Sequence, residues 1–308
     1  MPVQVQGEVL SVRRVGAYQA MTVVAPGIAA QTRPGHFLAV QVGGAESSML
    51  LRRAFAIYDV QERGVYGGTV EFVFAVHGRG TDWLAHRRPQ DKLDLVGPLG
   101  KPFRLPREKV TATLVGGGYG SAPLLPLAAA LTERGCRVHM VLGAGGKDRL
   151  FGQLEARRMS SSLVVTTDDG SVGERGRVSD VLPQVLERTG SDVVYACGPM
   201  GMLQAVAEQA AERGLPSQVA VEESMACGIG VCMTCVLPVV GDDGQTRMAR
   251  SCVEGPVFLG DRVRWDALGT VPPDALGAPP LSPETAPEPA PATPAPRATG
   301  RSRAGVRP

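Results

Sequence analysis

Four of the six cysteines crowd into 26 residues late in a 308-residue chain, while the first 135 residues contain none. The segment reads Met225-Ala226-Cys227-Gly228-Ile229-Gly230-Val231-Cys232-Met233-Thr234-Cys235, and Cys252 follows after sixteen intervening residues. Four thiolates that must converge restrict a fold more than any hydrophobic pattern does, because each has to be deprotonated and aimed. The spacing, C-x4-C-x2-C and then one distant cysteine, is the plant-type arrangement for a 2Fe–2S cluster. Gly228 and Gly230 allow the backbone to curl and to point amide N–H groups at sulfur. A four-cysteine zinc site is the alternative. Such sites usually carry two paired knuckles, and here the second half offers Cys252 alone.

The compartment supports a cofactor over a disulfide framework. A net charge of +2, from 32 basic and 30 acidic residues, supplies no strong field to attract nucleic acid or a membrane surface. No apolar run approaches about 18 residues, and the first ten residues lack the basic-then-apolar order of a signal peptide. The chain therefore reads as cytoplasmic, where disulfides are unexpected.

Hydrophobic residues at 44% and charged residues at 20% suit a protein with real cores, and the length suits two domains with room for a small third. Short runs rich in Val, Phe and Ile at 3–12, 18–24, 36–42, 55–60, 69–76 and 92–96 predict an antiparallel β-barrel. One helix, over 81–88, interrupts it. After Pro106 the pattern alternates: strands at 110–115, 137–142, 162–166 and 192–196, helices at 124–134, 149–157, 178–188 and 200–213. That alternation predicts βαβ units around a parallel sheet. The domains expected are 1–104 (barrel), 105–216 (α/β) and 217–267 (cluster). The remainder, 268–308, is expected to be a disordered, proline-rich tail, since 11 of the 25 prolines fall in the last 38 residues.

Two glycine-bearing turns sit where strands meet helices. Val115-Gly116-Gly117-Gly118-Tyr119-Gly120-Ser121-Ala122-Pro123 follows a buried strand and opens a helix, so a diphosphate can approach its backbone. The G-x-G-x-x-G pattern is not met, and no acidic residue ends the second strand near Leu142 to hold a ribose. Lys147 and Arg149 lie close by. Cys197-Gly198-Pro199 ends another strand, and Cys197 can serve there as a small core residue or line a nicotinamide pocket.

In order and spacing, these motifs resemble the ferredoxin–NADP reductase superfamily, and with a C-terminal cluster the electron-transfer subunits of class 1B dihydroorotate dehydrogenase. The resemblance covers residues 3–265. It implies an FAD-binding barrel in which Arg53-Ala54-Phe55-Ala56 stands at the family's Arg-x-x-Ser element, with Arg53 on the FAD diphosphate and Ala56 replacing the hydroxyl. It also implies flavin contacts from Val73-Phe74-Ala75 and from Gly80-Thr81, although relatives often carry a basic residue at the position of Ala75. Gly116, Gly117, Gly118 and Gly120, with Cys197, Gly198 and Pro199, match its NAD elements. Cys227, Cys232, Cys235 and Cys252 match its cluster ligands. Alone, Arg53 reads as a surface arginine and Thr81 as a helix cap.

The activity implied is a relay: FAD exchanges hydride with NAD(H) and single electrons with the cluster, which meets the FMN of a separate dihydroorotate dehydrogenase catalytic subunit, in a heterotetramer. No side chain is then required as acid or base, so no catalytic residue is expected. A ferredoxin–NADP reductase, sulfite reductase or hydrogenase subunit of the same architecture is the alternative, and a zinc-stabilised binding protein is the reading outside enzymes.

Overall fold

The computed structural model describes residues 1–44, 47–62, 64–65 and 67–279. Six strands close the first barrel: β1 (Val3–Val15), β2 (Tyr18–Val24), β3 (Phe37–Val40), β4 (Arg53–Gln61), β5 (Thr69–Phe74) and β6 (Lys92–Leu99). Their order around it is β1-β2-β5-β4-β3-β6, with every neighbouring pair antiparallel. Period-two alternation sends Met21, Val23, Phe72, Phe74, Leu93 and Leu95 into its core. Two short helices, α1 (Pro26–Ala29) and α2 (Arg79–Ala85), lie in its connections.

Strand β3 departs from the alternation because both its faces are covered. Leu38 and Val40 face the barrel core, while Phe37 and Ala39 pack outward against Cys235 and Cys252. All four residues of Phe-Leu-Ala-Val are buried, which is why the run is apolar throughout.

The second unit is a seven-stranded sheet. Its members in chain order are β7 (Thr111–Gly117), β8 (Arg137–Ala144), β9 (Ser162–Thr167), β10 (Glu174–Arg175), β11 (Val193–Cys197) and β12 (Ser217–Ala220), joined by α3 (Leu124–Glu133), α4 (Gln153–Met159), α5 (Val178–Thr189) and α6 (Met200–Ala211). The spatial order is β10-β9-β8-β7-β11-β12, with all pairs parallel, and one more strand follows. The chain runs outward from β7 through β8 and β9, then returns to the other side of β7 as β11. The order reverses there, so the crevice at the carboxyl ends of β7 and β11 is the place where a ligand fits.

The cluster segment expected over 217–267 is tied into the nucleotide unit's sheet by strands at both of its ends. Beyond the hairpin of β13 (Val236–Val240) and β14 (Thr246–Arg250), β15 (Val257–Leu259) pairs antiparallel with β12, and both belong to the sheet. Val219 and Phe258 are buried in its core, so the segment is held by the nucleotide unit's own packing. The folded part also runs past 267. Ala275 is buried, the Leu276 amide donates to the Thr246 carbonyl (2.8 Å), and Asp274 pairs with Arg264 (2.8 Å). The rest of the expected tail, from 280 onward, lies outside the described residues.

Candidate cofactor sites

The cluster loop runs from the end of β12 to β13. Gly228 (φ +71°) and Gly230 (φ +85°) take the left-handed conformations expected of them. With the chain turned this way, the amides of Ile229 and Val231 approach Cys227 Sγ at 3.5 and 3.3 Å. Cys235 and Cys252 are buried against Phe37, Ala39 and Leu99, while Cys232 is exposed. The Ser251 hydroxyl and amide both donate to the Cys235 carbonyl (2.8 and 2.9 Å), tying the fourth cysteine's strand end to the loop.

The thiols fall into two pairs, Cys227 beside Cys232 and Cys235 beside Cys252. Among the described residues, no three His, Cys, Asp or Glu side chains gather as ligands for one ion. Four thiols converging from one loop and one distant strand end are the donor set a 2Fe–2S cluster needs. Hydrogen bonds from Thr234, then those involving Cys227, lower the Cys232 thiol to about 6 and favour the thiolate needed for ligation. Burial pushes Cys252 up to about 12, so a metal must displace its proton. The donor set fits the cluster.

A cavity of about 450 Å³ opens along β4 and β5 toward the sheet. Arg53, Ala54, Phe55, Ala56, Val73, Phe74, Ala75 and Thr81 all line it. Gly80 lies behind the guanidinium; a Cβ there would stand 2.9 Å from Arg53 Nε, so only glycine leaves that side chain its place. Arg53 donates to the Leu51 carbonyl at 2.7 Å. Thr81 binds its own turn, accepting from the His77 and Gly78 amides at 3.0 and 3.2 Å. It both ties the helix entrance and faces the cavity.

A second cavity, of about 490 Å³, lies over the carboxyl ends of the sheet and is lined by Gly117, Gly118, Gly143, Arg149, Asp168, Arg177 and Pro199 among others. The expected nucleotide residues divide between the two spaces. Gly117, Gly118 and Pro199 face the second, whereas Gly120 and Cys197 face the first. Gly116 is buried beneath, where a Cβ would meet Ser121 Cβ at 2.8 Å. At Gly120 a Cβ would stand 2.7 Å from the Cα of Gly198, so the two turns touch backbone to backbone. Burial raises the Cys197 thiol far above its ordinary value, so it is neutral and unreactive.

Four site residues escaped sequence reasoning. Asp168 supplies the acidic group missing from β8: it follows β9, and its amide donates to the Ala144 carbonyl at 3.1 Å, beside the end of β8. The Thr-Thr-Asp-Asp run at a strand end was its only signal. Arg177 reaches the same cavity from the start of α5. Tyr119 and Glu222 border both cavities, and their side chains face each other.

Two family models match the chain. "Iron-sulfur cluster binding domain of dihydroorotate dehydrogenase B" covers residues 222–264, and "Oxidoreductase NAD-binding domain" covers 114–208. The dihydroorotate dehydrogenase B (NAD(+)) electron transfer subunit of Desulforamulus reducens is 34% identical over 79% of this chain and 90% of its own. That of Bacillus caldolyticus is 40% identical over 75% and 86%. Among solved structures, an NADH-dependent reduced ferredoxin–NADP oxidoreductase superposes with a TM-score of 0.73 at 32% identity, over 85% of this chain and 91% of that one. The ferredoxin reductase of carbazole 1,9a-dioxygenase, at 21% identity and a TM-score of 0.59, shares the fold. At 34–40% identity over most of these relatives' length, the chain belongs to the family of dihydroorotate dehydrogenase B electron transfer subunits.

Proposed function

We propose that the chain carries electrons between NAD(H), FAD, a 2Fe–2S cluster and the FMN of a dihydroorotate dehydrogenase catalytic subunit, serving pyrimidine biosynthesis. One observation carries this reading. Phe37 lies in the wall of the flavin cavity and also packs on Cys235 and Cys252, so one ring's thickness separates the flavin site from the thiols. On the opposite side, Tyr119 and Glu222 border the flavin and nucleotide cavities together. The three sites adjoin in the order the relay needs.

Bound FAD supplies the exchange between two-electron hydride chemistry and one-electron transfer. The protein's part is placement. Arg53 offers a fixed cation to the diphosphate. Gly117 and Gly118 bring backbone amides to the nucleotide, and Asp168 offers a carboxylate to ribose hydroxyls, which favours NAD. Phe55, stacked on Phe72 with centroids 5.0 Å apart, gives the flavin cavity a rigid apolar side. The cluster thiols would hold the iron, the buried pair Cys235 and Cys252 on the Phe37 side and Cys232 at the surface.

Ile229, Val231, Met233 and Val253 are exposed around the cluster loop, an apolar rim suited to cover by a partner. That partner is the FMN-bearing catalytic subunit, two copies of each chain forming the complex. Among the described residues no helix is long and apolar enough to cross a membrane. The likeness to the ferredoxin–NADP oxidoreductase favours one alternative, the same relay serving a different partner. Mixing tests decide between them. The purified chain should be yellow-brown, reduce artificial acceptors with NADH, and leave dihydroorotate untouched. With the FMN subunit it should form a stable complex that couples dihydroorotate oxidation to NAD+. Absence of binding and of electron exchange between the two would refute the partner.

A further inference from the structure

The nucleotide sheet does not build the coenzyme crevice alone. One wall of it is the short turn Lys147–Arg149, which follows β8 and faces the glycine turn after β7. Arg149 reaches the crevice beside Asp168: a Cβ on Gly145 would lie 4.0 Å from Arg149 Nη1 and 3.9 Å from Asp168 Oδ2. Within the nucleotide unit, side chains anchor this wall near its ends. The Lys147 amide donates to the Ser171 hydroxyl (2.8 Å), and the Ser121 hydroxyl donates to the Phe151 carbonyl (2.9 Å).

The middle of the wall is held by the flavin barrel. The turn that joins β1 to β2 reaches across to it: the Ala17 amide donates to the Asp148 carbonyl and the Tyr18 hydroxyl to the Arg149 carbonyl, each at 2.8 Å. Gly16, at φ +60°, leaves no room for a side chain, since a Cβ would stand 2.5 Å from the same Asp148 oxygen. Tyr18 is buried, and burial raises its phenol, so it stays protonated and donates. Its hydroxyl also lies against the glycine turn. A Cβ on Gly118 would meet Tyr18 Oη at 3.2 Å and the Arg149 carbonyl oxygen at 3.9 Å. One hydroxyl from the barrel therefore sits between both coenzyme loops. The ring is fixed as well, edge-on to Tyr119 and Phe151 with centroids 5.3 and 6.4 Å away. Beside it β2 pairs with β5, whose Val73 and Phe74 line the flavin cavity.

We propose that the β1–β2 turn of the barrel positions the coenzyme, with Tyr18 holding Arg149 where its guanidinium meets the anionic part of NADH. The inference rests on the assignment of the crevice to NAD(H). Tyr18 is a positioning residue: its hydroxyl grips the Arg149 carbonyl, and the Arg149 side chain carries the charge. Coenzyme affinity is thereby set partly from the barrel, so the flavin-binding unit takes part in binding the hydride donor.

The test uses the full chain carrying FAD and cluster, with NADH as donor and ferricyanide as acceptor. Tyr18→Phe keeps the ring and removes the hydroxyl. Its KM for NADH should rise about 3- to 10-fold, the loss of one hydrogen bond, while kcat changes less. The KM should also respond less to salt, because a displaced guanidinium no longer attracts the coenzyme's charge. Gly16→Ala, which crowds the Asp148 carbonyl from the same turn, should raise KM in the same direction. In an Arg149→Gln background, Tyr18→Phe should change KM by less than about twofold, because the side chain it positions is gone. An unchanged KM in Tyr18→Phe, or the same factor in both backgrounds, overturns the proposal and leaves the relay standing. If Arg149→Gln alone leaves the KM for NADH unchanged, the crevice does not hold the coenzyme as assigned, and the inference falls with that reading.

Discussion

The coenzyme crevice carries two arginines, Arg149 and Arg177, and two carboxyl groups, Glu222 and Asp168, of which Asp168 lies beside the end of β8. In the proposed assignment Asp168 accepts from the ribose hydroxyls and so sets the preference between NADH and NADPH. In Asp168→Ser the ribose loses hydrogen bonds to a charged acceptor, worth about 1.5–3 kcal/mol. At about 1.4 kcal/mol per decade, kcat/KM for NADH should drop roughly 10–150-fold. NADPH should gain. A carboxylate about 5 Å from a phosphate repels it by ~3 kcal/mol per phosphate charge at an effective dielectric of ~20, before salt screening. Removing that repulsion leaves both arginines to attract the 2′-phosphate. The NADH/NADPH preference should therefore swing by about 100-fold or more, read as steady-state ferricyanide reduction with each coenzyme. The NADPH gain should shrink as salt rises, while FAD and iron contents stay fixed. A preference within about threefold of the unmodified chain, with both cofactors retained, would refute this role for Asp168.

Four further outcomes are expected. Cys232→Ser should lose iron, from about two per chain, yet keep NADH-to-FAD reduction; stoichiometric zinc in the unmodified chain after anaerobic purification would overturn the assignment. Cys197→Ala should keep its iron, because that thiol faces the flavin cavity and not the cluster, and should slow NADH oxidation. Gly120→Ala forces a Cβ to 2.7 Å from Gly198 Cα, backbone that cannot swing aside. It should cost about 1–3 kcal/mol, lowering Tm by roughly 2–10 °C, and raise KM for NADH. Ending the chain after residue 279 should leave Tm unchanged, whereas ending it after 267 removes the Asp274–Arg264 pair and buried Ala275 and should lower Tm by roughly 2–6 °C.

What the sequence disclosed was local. The cysteine spacing, the Gly116–Gly120 turn and the period-two runs of the barrel are written within short windows, and each sits where its pattern predicted. What it hid depends on pairing between distant segments. Ser-Gln-Val-Ala is too short to announce a strand, and becomes one because β11 offers it an edge. Asp168 is not legible in the sequence as a neighbour of the β8 end, because it follows β9 and only the parallel pairing of β8 with β9 brings that strand end alongside. Residues 268–279 read as tail because they lead into the proline-rich end of the chain, yet the Thr246 and Arg264 side of the hairpin holds them. Glu222 is one charge in a Glu-Glu pair until two cavities open on either side of it.

The pairing of β12 with β15 has a consequence for engineering. Ala220 and Val257 stand opposite each other in that ladder, although the whole cluster loop and the β13–β14 hairpin lie between them in sequence. In topological terms the iron-binding segment is an insertion at the tip of a two-stranded turn, entering and leaving the sheet at one point. It is therefore an exchangeable cassette rather than a removable one. A turn of a few residues joining 220 to 257 would restore an ordinary hairpin, but it would take Val221, Glu222, Glu223, Ser224, Met225 and Pro256 from the flavin cavity wall and Leu237 from the sheet's core. The surface thus uncovered, Phe37, Ala39 and Leu99, would have to be made polar to keep such a chain in solution. Cassettes from relatives with other electron acceptors could be spliced at the same two positions, so that the partner is exchanged while the NADH-handling half of the molecule stays the same.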